Sequence, residues 1–584
     1  TLKTIKEQCD GSVLHLGVNH RQPPRIVDML NAYAVANLGS DATFMPSTSG
    51  CEDKGEVTLQ VRPSENIWTE YDDVAKLTAL LAAKSDSGTT AIVVNSNRDA
   101  DEVSQSLLGN GIAHFKISGT DLFSTQPVKL LLAHLGVVNN ELNSLAWAQI
   151  LHGMKVCATA ASARALVHKL RMFGLAPTDM LSDGKTYLRR FIDAYEDGDI
   201  VVFDTETTGL DVFEDDILQI AAERIRQGRV VDKFCVYMET SRPIPKLLGD
   251  IENPIIEERK HNRLLHPAEG LRAFLDFVGG SLLLAHNAAF DYNIMDFCLR
   301  RFLPLADWKA LQPVCFDSLK LIRLLRPELK VYKLKSLLSE IGLEGKNSHL
   351  ADDDVFATVS LVNYCFEKGK EMIAGQDTFL DRPANKDCFR KLRQCYADYY
   401  HEAVERLCVM KVGGQPALVD EMKRFYHFLL DGGWIAPLDK IGYVLRFISD
   451  DLVRQDIEPS LKQQLENHVM ELSTLKEADL CGSASLDEKV FVSTIHKAKG
   501  LEFDNVIVFD VVDGRIPSFY SQNDSGRMAE DARKLYVALS RTRSRLYVCY
   551  SKLSASTSCP RPQALSRFMD PIKQFFDIAD SCKK

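Results

Sequence analysis

IVVFDTETTGL, residues 200–210, begins with four apolar residues and ends in two acids and a Thr-Thr-Gly turn. An unbroken apolar run rich in β-branched residues reads as a buried strand. The strand period of two then sets Asp204 and Glu206 on one face at the strand's end. Two carboxylates so placed repel each other unless a cation or solvent neutralises them.

Two further segments extend this reading. LLLAHN, residues 282–287, predicts a second strand that runs into a helix beginning near Ala289, with Asp291 in its first turn. SHLADDDVFATVSLV, residues 348–362, presents His349 and Asp354 at the entry of an apolar helix. Taken singly, each acid is ordinary helix-start chemistry favoured by the helix dipole. Taken together, DTETTG (204–209), HNAAFD (286–291) and H-x-A-x-x-D (His349, Ala351, Asp354) resemble the three motifs of the DnaQ-like DEDDh exonucleases, over about residues 199–366. The resemblance implies an RNase H-like fold, digestion from 3′ to 5′, and a terminal nucleotide packed against the turn around Thr207 and Thr208. The residue types agree with it. Asp204, Glu206, Asp291 and Asp354 are hard oxygen donors suited to two Mg²⁺ or Mn²⁺ ions about 4 Å apart. His349 suits the proton acceptor for water, because imidazole titrates near neutral pH.

Around this unit lies a second pattern. TAIVVNS (90–96), a helix-like stretch at 98–108 and HFKIS (114–118) form a strand-helix-strand sequence, followed by an amphipathic helix from Val128. Far downstream, KVFVST (489–494), NVIVFDVV (505–512) and RLYVCYS (545–551) read as three more strands, with a helix around 529–539. Residues 387–410 and 460–475 carry almost no strand signal and read as helices. The expected fold class is α/β, with one parallel sheet interrupted by an insertion that itself holds a second α/β domain.

STIHKAKGLEFDNVIVFD (493–510), EDARKLYVALSRTRSRLYV (530–548) and LGVNHRQPPRIVDML (16–30) resemble the fifth, sixth and fourth motifs of UvrD-like superfamily 1 helicases. The resemblance implies a second RecA-like domain of the P-loop NTPase type with helical flanking segments. It assigns Arg541 as an arginine finger on the γ-phosphate, Arg21 as a second phosphate contact, Gly500 to a tight turn and Glu502 to a ribose hydroxyl. The expected division is 1–150 and 488–584 for the RecA-like domain, 151–197 and 371–487 for helical accessory segments, and 198–370 for the exonuclease. A motor of this type also needs a G-x-x-x-x-G-K-[ST] loop. Gly184-Lys185-Thr186 mimics its end, but Asp179 stands where glycine is needed. The chain starts at Thr1, so the expectation is the C-terminal part of a longer helicase, with ATP bound only when a first motor domain is supplied.

The expected function is a metal-dependent 3′ to 5′ exonuclease within a UvrD-like DNA helicase serving DNA repair or recombination. Its partner is DNA, single-stranded or with a 3′ end. The alternative is a nuclease on an ATPase-inactive, helicase-like DNA-binding scaffold. Composition is compatible with both. The 584 residues carry a net charge of −10, which excludes a basic nucleic-acid coat but not a nuclease that concentrates carboxylates around metal. The 14 cysteines include no C-x-x-C pair, which excludes a zinc ribbon or thioredoxin motif and suits a reduced cytoplasm. No apolar run approaches the roughly 18 residues of a membrane span, so no membrane partner is expected.

Overall fold

The structure is a computed structural model that describes residues 17–39, 46–51, 57–84, 88–117, 119–248, 251–312, 314–344, 351–411, 413–481, 486–555 and 559–579. Residues 1–129, 410–430 and 435–584 form one compact unit, and residues 130–409 with 431–434 form the other.

In the first unit, Thr90–Val94 and Val490–Thr494 are buried at every position. Strands this apolar need hydrogen-bonding partners on both edges and cover on both faces. Thr90–Val94 pairs in parallel with Val490–Thr494 on one edge and with Phe503–Val508 on the other. The seven-stranded sheet runs Asp577–Ile578, Thr58–Asn66, Thr542–Leu553, Phe503–Val508, Thr90–Val94, Val490–Thr494, Phe115–Ile117. Every pairing is parallel. Two stretches remote in sequence therefore complete one sheet, as the motif order predicts. The helix Asn97–Gly109 that follows Thr90–Val94 starts where Ser96 Oγ accepts the Asp99 N–H at 3.2 Å and the Asp99 carboxylate accepts the Ser96 N–H at 3.0 Å. Such a reciprocal cap stabilises a helix by about 1 kcal/mol.

Two details of this unit depart from the sequence reading. The strand predicted to reach residue 512 ends at Val508. Asp510 has a φ of 51° and gives its N–H to the buried carboxylate of Glu70 at 2.7 Å, so the chain leaves the ladder there. The strand Thr58–Asn66 has no counterpart in the sequence reading. Only Leu59, Val61 and Ser64 of it are buried, and Gln60, Arg62, Pro63 and Glu65 dilute the apolar signal.

The second unit holds a six-stranded sheet in the order Leu264–Leu265, Arg229–Met238, Ile217–Arg226, Asp199–Thr207, Leu282–Ala285, Cys315–Asp317. Asp199–Thr207 pairs antiparallel with Ile217–Arg226 and parallel with Leu282–Ala285. Its alternate residues enter different cores. Ile200 and Val202 join Leu188, Phe191, Leu361 and Val362, from the helices Tyr187–Asp197 and Ala351–Leu380. Val201 and Phe203 join Leu271, Phe274, Ile294 and Met295, from the helices Pro267–Val278 and Ala289–Phe302. Cover on both faces explains the unbroken apolar run before Asp204. Ala351–Leu380 is a single helix of 30 residues and continues past residue 370. Among the described residues no helix is long and apolar enough to cross a membrane.

Candidate carboxylate metal centre

Asp204 and Glu206 continue the alternation of Ile200 and Val202, and lie opposite Ala221 and Gln219 of the antiparallel neighbour. On the other edge, Leu282–Ala285 pairs only with Ile200, Val201 and Val202. Beyond Val202 that edge is open, and the helix after Leu282–Ala285 fills it. Asp291, in the first turn of Ala289–Phe302, accepts the Thr205 N–H at 3.0 Å and the Thr205 hydroxyl at 2.7 Å. Asp354 comes from the first turn of Ala351–Leu380. The Ala351 N–H at that helix's start donates to the fully buried Gln219 side chain at 3.4 Å, beside the strand that carries Glu206. One carboxylate oxygen from each of Asp204, Glu206 and Asp354 lies within 4.8 Å of the others.

The electrostatics follow from this crowding. Burial, and then the charges of Asp291, Glu206 and Asp354, raise Asp204 well above the ordinary carboxylate range. Burial together with Asp354 and Asp291 pushes Glu206 up to about 8. Burial lifts Asp291 to about 7 against the opposing hydrogen bonds from Thr205. Dehydrated carboxylates that destabilise one another are what a divalent cation relieves, and an all-oxygen donor set fits a hard one.

The Thr-Thr-Gly turn is pinned beside the acids. Thr208 Oγ1 donates to Asp215 Oδ1 at 2.7 Å, and the Asp211 N–H donates to Asp215 Oδ2 at 2.8 Å. A Cβ on Gly209 would stand 2.5 Å from that carboxylate, so a larger residue there would displace the Asp215 side chain that holds the turn. His349 lies outside the described residues. His286 is the histidine of the middle motif; its Nδ1 is 2.9 Å from Ser318 Oγ, and burial lowers it to about 4, which keeps it neutral. Thr205 and Gln219 were not singled out from the sequence. Thr205 sits inside the DTET motif, whereas nothing in the local pattern marks Gln219.

In the other unit, the helicase-motif residues converge. The buried Gln22 side chain donates to the Ser540 carbonyl at 3.2 Å and the Thr542 carbonyl at 2.7 Å, which fastens the fourth motif to the sixth. Arg21 forms an ion pair with Glu502, and Arg543 pairs with the same carboxylate at 3.1 Å. Arg541 follows the helix Ser525–Leu539 and donates to the carbonyls of Val537 at 2.9 Å and Leu501 at 3.0 Å, and to Ser540 Oγ at 2.9 Å. Burial and the nearby Arg21 charge lower its affinity for its proton. Gly500 has a φ of +96°, a conformation that only glycine adopts readily. Thr186 caps the helix Tyr187–Asp197 and Lys185 pairs with Asp193 at 2.7 Å. The regular element before them is the short 3-10 turn Pro177–Leu181, so the local structure is a capped helix rather than a strand feeding a phosphate loop.

Fold and site define a DnaQ-like unit carried within a RecA-like domain. The family model of the UvrD-like helicase C-terminal domain matches residues 14–553, and the chain belongs to that family. DNA polymerase III PolC-type of Clostridium perfringens is 34% identical over 175 residues, 30% of this chain and 12% of that protein. DNA polymerase III PolC-type of Bacillus subtilis is 33% identical over 167 residues, 29% of this chain and 11% of that protein. The chain thus matches only about an eighth of the length of these curated relatives. Among solved structures, Exonuclease X in complex with 5′ overhanging duplex DNA aligns with 29% of this chain and 91% of its own, at 23% identity and a TM-score of 0.21. The zinc-bound E. coli ExoI–ssDNA complex aligns with 31% and 43%, at 20% identity and a TM-score of 0.26.

Proposed function

We propose that this chain is a metal-dependent 3′ to 5′ DNA exonuclease built into the second motor domain of a UvrD-like helicase, acting in DNA repair or recombination. The observation that carries the reading is the convergence of Asp204, Glu206 and Asp354 within 4.8 Å, with Asp291 raising the values of Asp204 and Glu206. These four carboxylates would hold two Mg²⁺ or Mn²⁺ ions, which would supply Lewis-acid charge to the scissile phosphate and acidify water. His349 accepts the proton of the attacking water, the role for which a neutral imidazole is suited. Thr205 holds Oδ1 of the Asp291 carboxylate through two hydrogen bonds. The Thr207-Thr208 turn receives the terminal nucleotide, and DNA enters as a single strand or a frayed 3′ end. The test is a 5′-labelled single strand digested with Mg²⁺ or Mn²⁺, with and without a phosphorothioate block at the 3′ end. Progressive shortening that the block abolishes supports the reading; shortening that ignores the block overturns the polarity.

The RecA-like unit contributes half of an ATP site: Arg21 and Arg541 toward phosphate, Glu502 toward ribose, and Gly500 at the turn between them. Residues 1–584 contain no G-x-x-x-x-G-K-[ST] sequence, so ATP turnover requires a first motor domain that supplies the phosphate loop and the magnesium acid. One observation favours the alternative of an inactive scaffold: Arg541 commits three of its five N–H donors to Val537, Leu501 and Ser540. DNA-stimulated ATPase in a form carrying both motor domains, lost in Arg541→Ala, decides for the motor. Turnover absent from that form decides for the scaffold, and turnover unchanged by the substitution removes Arg541 from the phosphate role.

A further inference from the structure

Two cysteines that neither the nuclease nor the ATP reading uses face each other in the second unit. Cys157 lies between the helices Ser144–Gly153 and Ala160–Met172, and Cys388 lies in the helix Pro383–Leu392. Their sulfurs are 3.8 Å apart across 231 residues of sequence. Both are free thiols; Cys157 is buried and Cys388 is partly exposed. The sheet that carries Asp204, Glu206 and the Asp291 helix lies between them in sequence, so the pair joins the segment that enters this insertion to the segment that leaves it. A disulfide has sulfurs about 2.05 Å apart. Closing the gap takes a shift of under about 2 Å between flexible side chains.

We propose that Cys157 and Cys388 form a reversible thiol–disulfide site that, when oxidised, closes the nuclease-bearing insertion into a covalent loop. The oxidant is a small peroxide or a low-molecular-weight disulfide such as oxidised glutathione. With the disulfide, the Cys388 thiolate attacks one sulfur of the oxidant and releases one thiol. The Cys157 thiolate then attacks the mixed disulfide and releases the second. Two protein S–H bonds become one S–S bond, two protons are lost, and two electrons pass to the oxidant. With peroxide, Cys388 becomes a sulfenic acid, Cys157 displaces its oxygen, and two waters are the products. The exposure of Cys388 gives the oxidant access, and Cys157 resolves from inside. The contact between the sulfurs lowers Cys157 below the ordinary thiol value and, with burial, raises Cys388 above it. Exposure rather than acidity thus makes Cys388 the sulfur the oxidant meets first, and Cys157 is the readier thiolate for the resolving step.

The experiment uses the full chain incubated with graded oxidised and reduced glutathione, quenched by alkylation, digested, and analysed by mass spectrometry. The expected result is a Cys157–Cys388 linked peptide, 2 Da lighter than the sum of its free parts, formed ahead of any other cysteine pair and removed by dithiothreitol. In Cys157→Ser, Cys388 should instead accumulate the glutathione adduct, because the resolving sulfur is gone. Oxidised wild type should also resist proteolytic separation of the segments around residues 157 and 388 on a non-reducing gel. Full alkylation of both cysteines at glutathione ratios that already link other pairs would overturn the proposal. So would a Cys388 adduct that is equally stable in wild type and in Cys157→Ser.

Discussion

Lowering the pH should loosen metal from the carboxylate centre far more steeply than ordinary carboxylates allow. Glu206 titrates at about 8 in the metal-free site, so about one site in ten is ionised there at pH 7 and about one in a hundred at pH 6. Binding a cation must expel that proton, so apparent affinity falls about tenfold per pH unit below 8. Asp291, at about 7, adds its own proton below that value. Between pH 8 and 6 the combined loss is about two to three orders of magnitude. Isothermal titration of Mn²⁺ at each pH measures the affinity, and repeating it in buffers of different ionisation heat counts the protons released. Stability follows the same linkage. Both folded-state values are raised, so these groups' stabilising contribution to the metal-free fold is complete below about pH 4 and is lost as pH rises through 7 and 8. Metal should therefore raise the unfolding temperature more at pH 8 than at pH 6. An affinity that is flat between pH 6 and 8, with no proton released, would refute the coupling.

Asp204→Asn should cut nuclease rate by about two orders of magnitude or more, since loss of a metal ligand exceeds the 10–100-fold cost of losing an outer-shell partner. The same variant should unfold at a higher temperature than wild type in chelator at pH 8, because an amide has no ionised form for burial and the neighbouring acids to oppose; calorimetry checks this. His349→Gln should reduce the single-turnover rate by about two to four orders of magnitude and flatten the rising limb of its pH profile; a limb that persists removes His349 from the role. In the RecA-like unit, Glu70 is fully buried and accepts hydrogen bonds from the Asp510 N–H and the Ser551 hydroxyl. Glu70→Leu should destabilise that unit by about 1–3 kcal/mol for each donor left unpaired, read from denaturant midpoints.

What the sequence made legible was whatever neighbouring residues encode. The apolar run before Asp204 and the strand period announce a buried strand with acids at its end. Acids in the first turn of a helix announce where Asp291 and Asp354 sit. The same logic marked residues 90–96 and 489–494 as apolar strands despite the long stretch between them. What stayed hidden depends on side chains that meet across the fold. No spacing rule pairs Thr205 with Asp291, or Gln219 with the start of the helix carrying Asp354. The strand Thr58–Asn66 escaped because only three of its positions are buried. Motif spacing also gave no sign that Arg541 turns its guanidinium onto the carbonyls of its own helix end and of Leu501, since side-chain direction depends on which acceptors lie nearby.

The most direct test of the central claim is digestion of a 5′-labelled single-stranded DNA by purified wild type and by Asp354→Asn, each with a Mn²⁺ titration and a chelator control. A ladder that shortens from the 3′ end, rises with Mn²⁺, stops in chelator and disappears in folded Asp354→Asn is the predicted result. Equal digestion by Asp354→Asn, or none by folded wild type at saturating Mn²⁺, would contradict the account.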